Sequence, residues 1–234
     1  MQTVFSLTSI ARSWGDHIAH TVEARPHAAG DDGRLDIASI VVFGALAGAS
    51  VGVWAGGLQI VYVATKVPLL LLGTLLIGLP SMVVLGRFVG CPLSFSDAAT
   101  LALSSIARTA VVLGALSPAT AYFAFTLPAR GIVVYRAVVL SQVFAFAVAG
   151  LIGVTALRGR LAAIVRDRAR HAHVTFLWIV IYSFVGAQLT WMLRPFLGNP
   201  GATVEYVRPY AERIGLNSNF YTAVFTLLQH SLGW

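Results

Sequence analysis

KVPLLLLGTLLIGLPSMVVLGRFVG, residues 66–90, decides the class of fold. Between Lys66 and Arg87 stand 20 consecutive residues without a charge. A helix needs about 20 apolar residues to cross the hydrocarbon core of a bilayer. A run of this length and composition therefore reads as a membrane span over 67–88. Lys66 with Pro68 marks one end of it and Arg87 the other.

Working outward, the same pattern recurs at 37–55, 98–125, 133–157 and 174–193. A final apolar stretch, 219–233, is short, and is expected to half-cross, to lie in the interface, or to span only with local thinning. GLQIVYVATK (57–66), bounded by Gly57 and Pro68, reads as a separate interfacial or re-entrant piece. The whole chain agrees: 57% of its residues are hydrophobic and 11% charged, where a soluble domain carries about a quarter charged. Mean hydropathy is +0.80. The expectation is an all-α integral membrane bundle of about five transmembrane helices over 35–234, preceded by a tail, 1–34, and closed by a short C-terminal helix.

The tail has its own periodicity. Val4, Leu7, Ala11, Trp14, Ile18 and Val22 recur at helical steps, with Arg12, Asp16, His17, His20 and Glu23 between them. This predicts an amphipathic helix lying in the membrane interface or docked on a partner. RGRLAAIVRDRARHAH (158–173) carries five arginines and reads as a loop. By the positive-inside rule it is cytoplasmic, and counting spans backward places the N-terminus on the same side. Ser96 or Asp97 is the expected cap of the third span. The basic residues are scattered between spans rather than gathered with aromatics, which excludes a nucleic-acid partner. The lone Cys91 permits no intrachain disulfide.

Two further patterns concern packing and anchoring. Gly44, Gly48, Gly52 and Gly56 fall four apart on one face of the first span, a spacing that lets another helix approach closely. WMLRPFLGNP (191–200) ends the fifth span. Trp191 is an aromatic-belt residue, Arg194 can lay its stem along hydrocarbon while its head reaches phosphates, and Pro195 stops the helix. Phe196 can pack back onto the bundle. Lys66 and Pro68 fall on the same side of the membrane, which points to an organised face there.

KVPLLLLGTLLIGLPS, FVGAQLTWMLRPFLGNP and the later Asn219 together resemble a family of uncharacterised bacterial polytopic inner-membrane proteins. Lys66, Pro68, Pro80, Ser81, Gln188, Trp191, Arg194, Pro195, Phe196, Gly198 and Pro200 carry the likeness. The resemblance implies the bacterial inner membrane and no particular activity.

Chemistry is sparse. No acid is assigned to the interior of a span, and no P-loop, nucleophile elbow or HExxH is present. The histidines read as solvated. No catalytic residue, metal or cofactor is expected, and the protein reads as a non-enzyme. The polar candidates for a pathway are Arg108, Ser104, Ser105 and Thr109 in the third span, with Gln59, Gln142 and Gln188. Arg108 can snorkel, bind backbone carbonyls or lipid phosphate, or face a wet path that attracts anions. The favoured function is an oligomeric channel or transport-class subunit for anions or small solutes. The alternatives are a membrane scaffold or assembly subunit and, more distantly, a lipid-handling enzyme. Expected partners are membrane lipids and either further copies of the chain or other membrane subunits.

Overall fold

A computed structural model of the chain describes residues 12–19, 33–91, 93–126, 132–165, 167–197, 205–207 and 219–231. These form seven helices: α1 (12–19), α2 (Gly33–Gly52), α3 (Leu58–Phe88), α4 (Phe95–Thr126), α5 (Ile132–Ile164), α6 (Arg168–Leu193) and α7 (Phe220–Ser231). No strand occurs among the described residues. Helices α2 to α6 are each long and apolar enough to cross a membrane, with mean hydropathies of 1.6 to 2.3 over their best windows. Helix α7 has 12 residues, about 18 Å at 1.5 Å per residue, and is too short to cross alone. The chain is an all-helical integral membrane bundle. The expected tail helix outside 12–19, residues 20–32, and residues 198–204 and 208–218 lie outside the described residues.

Helices α3, α4, α5 and α6 surround the centre, with α3 against α4 and α6, and α5 against α4 and α6. Helix α2 packs on both α3 and α4 in the most extensive helix contacts of the bundle, and α7 rests on α5 and α6. Consecutive helices run in opposite directions, so the ends sort into two sets. The arginine end holds α1, the start of α2, the α3–α4 turn and the α5–α6 turn. The opposite, capped end holds the α2–α3 turn and the segment after α6. One core cluster (Ile40, Val63, Val67, Leu71, Ile106, Ala110) reaches toward the capped end and another (Leu79, Met82, Leu101, Leu157, Leu161, Trp178) toward the arginine end.

The seam between α2 and α3 is made of glycine. A Cβ at Gly48 would collide with the carbonyl oxygen of Val63, and one at Gly52 would stand 2.6 Å from Ile60 Cα. At Gly44 it would lie 3.3 Å from the Pro68 ring. Gly56 does not belong to this seam. Helix α2 ends at Gly52, and Gly56 and Gly57 carry φ values of 74° and 55° in the turn that follows. Their role is the left-handed backbone that a side chain resists.

Several boundaries differ from the sequence expectation. Residues 57–66 are no separate piece: Gly57 caps α3, and the helix runs unbroken from Leu58 through Pro68 and Pro80 to Phe88. Pro68 forfeits one helical hydrogen bond, but its ring finds a seat over Gly44, and α2 supports the chain across the gap. The 158–173 loop is mostly helix. α5 continues to Ile164, and α6 starts at Arg168 behind Asp167, whose carboxylate accepts from the amides of Ala169 (2.9 Å) and Arg170 (3.5 Å). Helix α4 is capped by Ser94 rather than by Ser96 or Asp97. The Asp97 amide donates to Ser94 Oγ at 3.1 Å, and Ser94 Oγ in turn donates to the Asp97 carboxylate at 2.5 Å.

A Gly48→Ala substitution should lower stability by about 1–3 kcal/mol, because α2 and α3 must separate to admit the methyl group. Gly150→Ala is the control: nothing lies within 4 Å of a Cβ there, and helix propensity alone should leave stability unchanged or raise it by up to about 1 kcal/mol. Thermal unfolding of both variants in one detergent checks the contrast.

Candidate functional site

The capped end is built around a lysine. Lys66, two turns into α3, is fully buried and donates from Nζ to the carbonyl of Pro195 at 2.6 Å. About two turns earlier, Gln59 donates from Nε2 to Pro195 O at 3.1 Å and to Phe196 O at 2.9 Å. The ammonium also faces two rings, 5.6 Å from the centroid of Phe196 and 5.0 Å from that of Tyr206, a cation–π arrangement. Tyr206 meets Tyr62 edge to face at 5.3 Å. Leu197 is buried in the core. Lys66 and the Arg-Pro-Phe motif, predicted to share one side of the membrane, are thus in direct contact. The chain leaving α6 turns at a cis Arg194–Pro195 bond and is strapped across the start of α3.

One anchor and one pathway candidate behave differently from expectation. Arg194 is the C-cap of α6, but its guanidinium carbon stands 3.4 Å from the Trp191 ring centroid. It folds back on the aromatic ring instead of extending outward. Gln59, taken as a pathway candidate, is 1% exposed and committed to the strap. It was legible as a polar group at an apolar position, but its partner, 136 residues away, was not.

Two clefts flank the α2–α4 contact. One, of about 250 Å³, opens in the capped half between α2, α4 and α5; its lining includes Ser50, Thr120, Ser141 and Gln142 among mainly apolar side chains. The other, about 300 Å³, opens in the arginine half between α2, α3 and α4, and holds Asp36, Ser96 and Thr100. From Leu103 to Leu116, the deepest α4 residues of the two clefts, is about 20 Å at 1.5 Å per residue. That interval is solid: Ile40, Ala107, Ala110 and Ala149 are fully buried, and Phe43 lies over Gly114, where a Cβ would stand 2.6 Å from its ring.

The polar cluster of the third span does not line either cleft. Ser104 donates to Leu101 O, Ser105 to Gly153 O across the α4–α5 contact, and Thr109 to Ser105 O, each at 3.0 Å. These hydroxyls serve packing. A Cβ at Gly153 would collide with Thr109 Oγ1, so the three residues mark where α5 crosses α4. Arg108 is half-buried beside them, and its Nε and Nη1 are buried without a hydrogen-bond partner. An arginine at membrane depth costs about 2.5–3.5 kcal/mol on insertion scales. Gln142 faces the capped-half cleft, and Gln188 is half-buried on α6. The seven candidates are therefore distributed over several sites and do not form one cavity.

Asp36 and Asp97 stand in the first turns of the long apolar helices α2 and α4, and of the two only Asp36 is buried. Asp36, in the first turn of α2, is 4% exposed. His17 of α1 approaches its carboxylate at 3.4 Å, with both side chains below 10% exposure, and Arg160 of α5 is within electrostatic reach. His17 is not a solvated histidine but the buried contact of α1, flanked by half-buried Trp14 and Ile18. Its polar position in the amphipathic pattern concealed this, because a buried carboxylate can accept it where lipid could not.

Lys66→Met should loosen the strap while sparing the bundle. It removes one charged donor and leaves Gln59 to hold Pro195 and Phe196. Hydrogen exchange at the amides of 196–197 should rise about tenfold, the scale set by one charged hydrogen bond, with little change over α3 to α5. Unchanged exchange would show that Gln59 alone holds the segment. The chain matches no family model, no curated protein and no solved structure.

Proposed function

We propose that this chain is a non-enzymatic, transport-class membrane subunit that moves small solutes between its two clefts. The observation that carries the reading is their disposition: one in each half of the bundle, on either side of α2, separated by a waist of small and apolar side chains. Alanine and glycine at Ala47, Ala107, Ala110 and Gly114 let the helices approach closely at that waist. The mainly apolar linings, relieved by Ser50, Thr120, Gln142 and Asp36, favour small neutral or weakly polar solutes. Arg108 lies outside both clefts, which argues against an anion route along the α2–α4 contact. Asp36 gives the arginine-half cleft one buried carboxylate. The arginine end is assigned to the cytoplasm, in keeping with the positive-inside rule, and the bacterial inner membrane follows from the motif resemblance.

A second reading, an assembly subunit, draws on the exposed helices. Only 17% of the α5 window and 6% of the α6 window are buried within the chain, which leaves wide apolar faces for lipid or for other subunits. Isolation in mild detergent separates the two readings: a particle that is stable only with another protein bound favours assembly.

Single cysteines test the transport reading. Cys91 is 3% exposed, and burial pushes its thiol upward against the pull of Arg170, so it can be replaced by alanine to give a silent background. In proteoliposomes, Thr100→Cys should react with a membrane-impermeant thiol reagent from the arginine side only. Thr120→Cys should react from the capped side only, and Leu113→Cys from neither at rest. Addition of a transported solute should expose Leu113→Cys. Absence of flux for every small neutral, cationic and anionic solute tried would overturn the reading.

A further inference from the structure

The packing of α4 against α5 fixes how deep Arg108 lies. Ser105 Oγ donates to Gly153 O, which sets residue 105 of α4 level with residue 153 of α5. Arg158 lies five residues beyond Gly153 toward the arginine end, and Arg108 three residues beyond Ser105 in the opposite sense. At 1.5 Å per residue, Arg108 is about 12 Å farther from the arginine end than Arg158. Along its own helix it is about 20 Å from Phe95 and about 27 Å from Thr126, farther than an arginine stem extends from either end. The helix starts at Phe95 and not near residue 104, so Arg108 stands in the middle of α4 and not at its end.

The surroundings supply no counter-charge. Ser104, Ser105 and Thr109 spend their hydroxyl hydrogens on backbone carbonyls, and no carboxylate among the described residues pairs with Arg108. Its Nε and Nη1 are buried without a hydrogen-bond partner, which leaves Nη2 as the nitrogen that a ligand from outside can meet first. The side chain is nevertheless only half-buried, and the α4 surface opens beyond it toward the capped end, where Val112 is half-exposed and Ala115 exposed. Arg108 thus stands at the lipid-facing edge of the α4–α5 contact, where the missing acceptor can arrive only from the membrane.

We propose that Arg108 is a lateral binding site for a phosphate oxyanion, supplied by a phospholipid headgroup drawn down along the α4–α5 groove. Guanidinium is matched to phosphate in charge and planar donor geometry and is weakly hydrated, which suits it to pairing in a dry setting. A headgroup sinking while the side chain reaches toward it is the usual accommodation of an arginine at depth. The site stands apart from both clefts and from the transport reading, and neither depends on the other.

Native mass spectrometry of delipidated protein tests it. The probes are phosphatidylglycerol, the phosphate-free digalactosyldiacylglycerol, and inorganic phosphate. Wild type should retain one phosphatidylglycerol in preference to the galactolipid. Arg108→Gln should weaken that retention about tenfold, as expected for loss of one charge-assisted contact. Arg108→Lys should weaken it less, keeping the charge without the fork. Arg158→Gln, at the membrane edge, should leave it unchanged. Equal retention by wild type and Arg108→Gln, or equal retention of the two lipids, overturns the proposal. Displacement of the lipid by millimolar inorganic phosphate, dependent on Arg108, overturns the lipid as the source. If Arg108→Gln does not fold, the wild-type preference between the lipids and the response of Arg108→Lys still decide the matter.

Discussion

The contact between α2 and α3 is the constraint on which the other features rest. Between membrane helices the hydrophobic effect gives no net attraction, because lipid is as apolar as the side chains, and association falls to close packing and interhelical hydrogen bonds. Here packing is carried to its limit. The backbone of α2 at Gly48 and Gly52 touches the backbone of α3 at Val63 and Ile60, with no side chain between. That contact holds α2 against both α3 and α4. It gives the Pro68 ring a seat on Gly44, so that α3 runs on past its proline. It also lays α2 against α4 through small side chains over the middle of the bundle, with room left at each end. The two clefts are the consequence.

Much of this was legible because lipid imposes simple rules. Long apolar runs must be helices, since no other open backbone survives in hydrocarbon, and Gly44, Gly48 and Gly52 stated their purpose by spacing alone. The illegible parts are those where a distant partner reverses a local rule. Gly57 and Pro68 look like the borders of a short segment, and only α2, which supports the chain beside Pro68, keeps the helix whole. The arginine run 158–173 looks like a loop, yet helices that project from the membrane stay helical among charges, and Asp167 supplies the cap. Gly56 matched the packing period by coincidence, because the helix had already ended at Gly52. Ser104, Ser105 and Thr109 looked like a polar lining. Their hydroxyls instead satisfy carbonyls at a tight crossing, a use that sequence does not distinguish from solvation.

The buried ionisable groups show how the same physical cost is met in different ways. Lys66 is enclosed at the capped end by peptide carbonyl and aromatic faces, acceptors that carry no formal charge. Asp36 is enclosed at the arginine end by a histidine from α1 and the field of Arg160, a charge-based solution that ties three segments together. In both cases the partner comes from a part of the chain remote in sequence, and the polar contact fastens a terminal or connecting segment to the bundle. Ionic groups in the membrane are expensive and are held where they organise something. At these two positions they organise the ends.

Arg108 breaks this pattern, and the difference is informative. It belongs to no strap and no end. Its neighbours on α4 and α5 are satisfied without it, and substitution by leucine would fit the surrounding pattern of apolar residues. Residues retained at such cost without an internal partner point outward, to whatever the bundle meets in the plane of the membrane. Helices α5 and α6, which bury little of themselves, border the same exterior. The side of the molecule that packs least against itself is therefore also the side beside which a positive charge waits at depth. A lipid oxyanion there would do for α4 and α5 what Pro195 does for Lys66: complete, from outside the local segment, a polar group that the helix alone leaves unfinished.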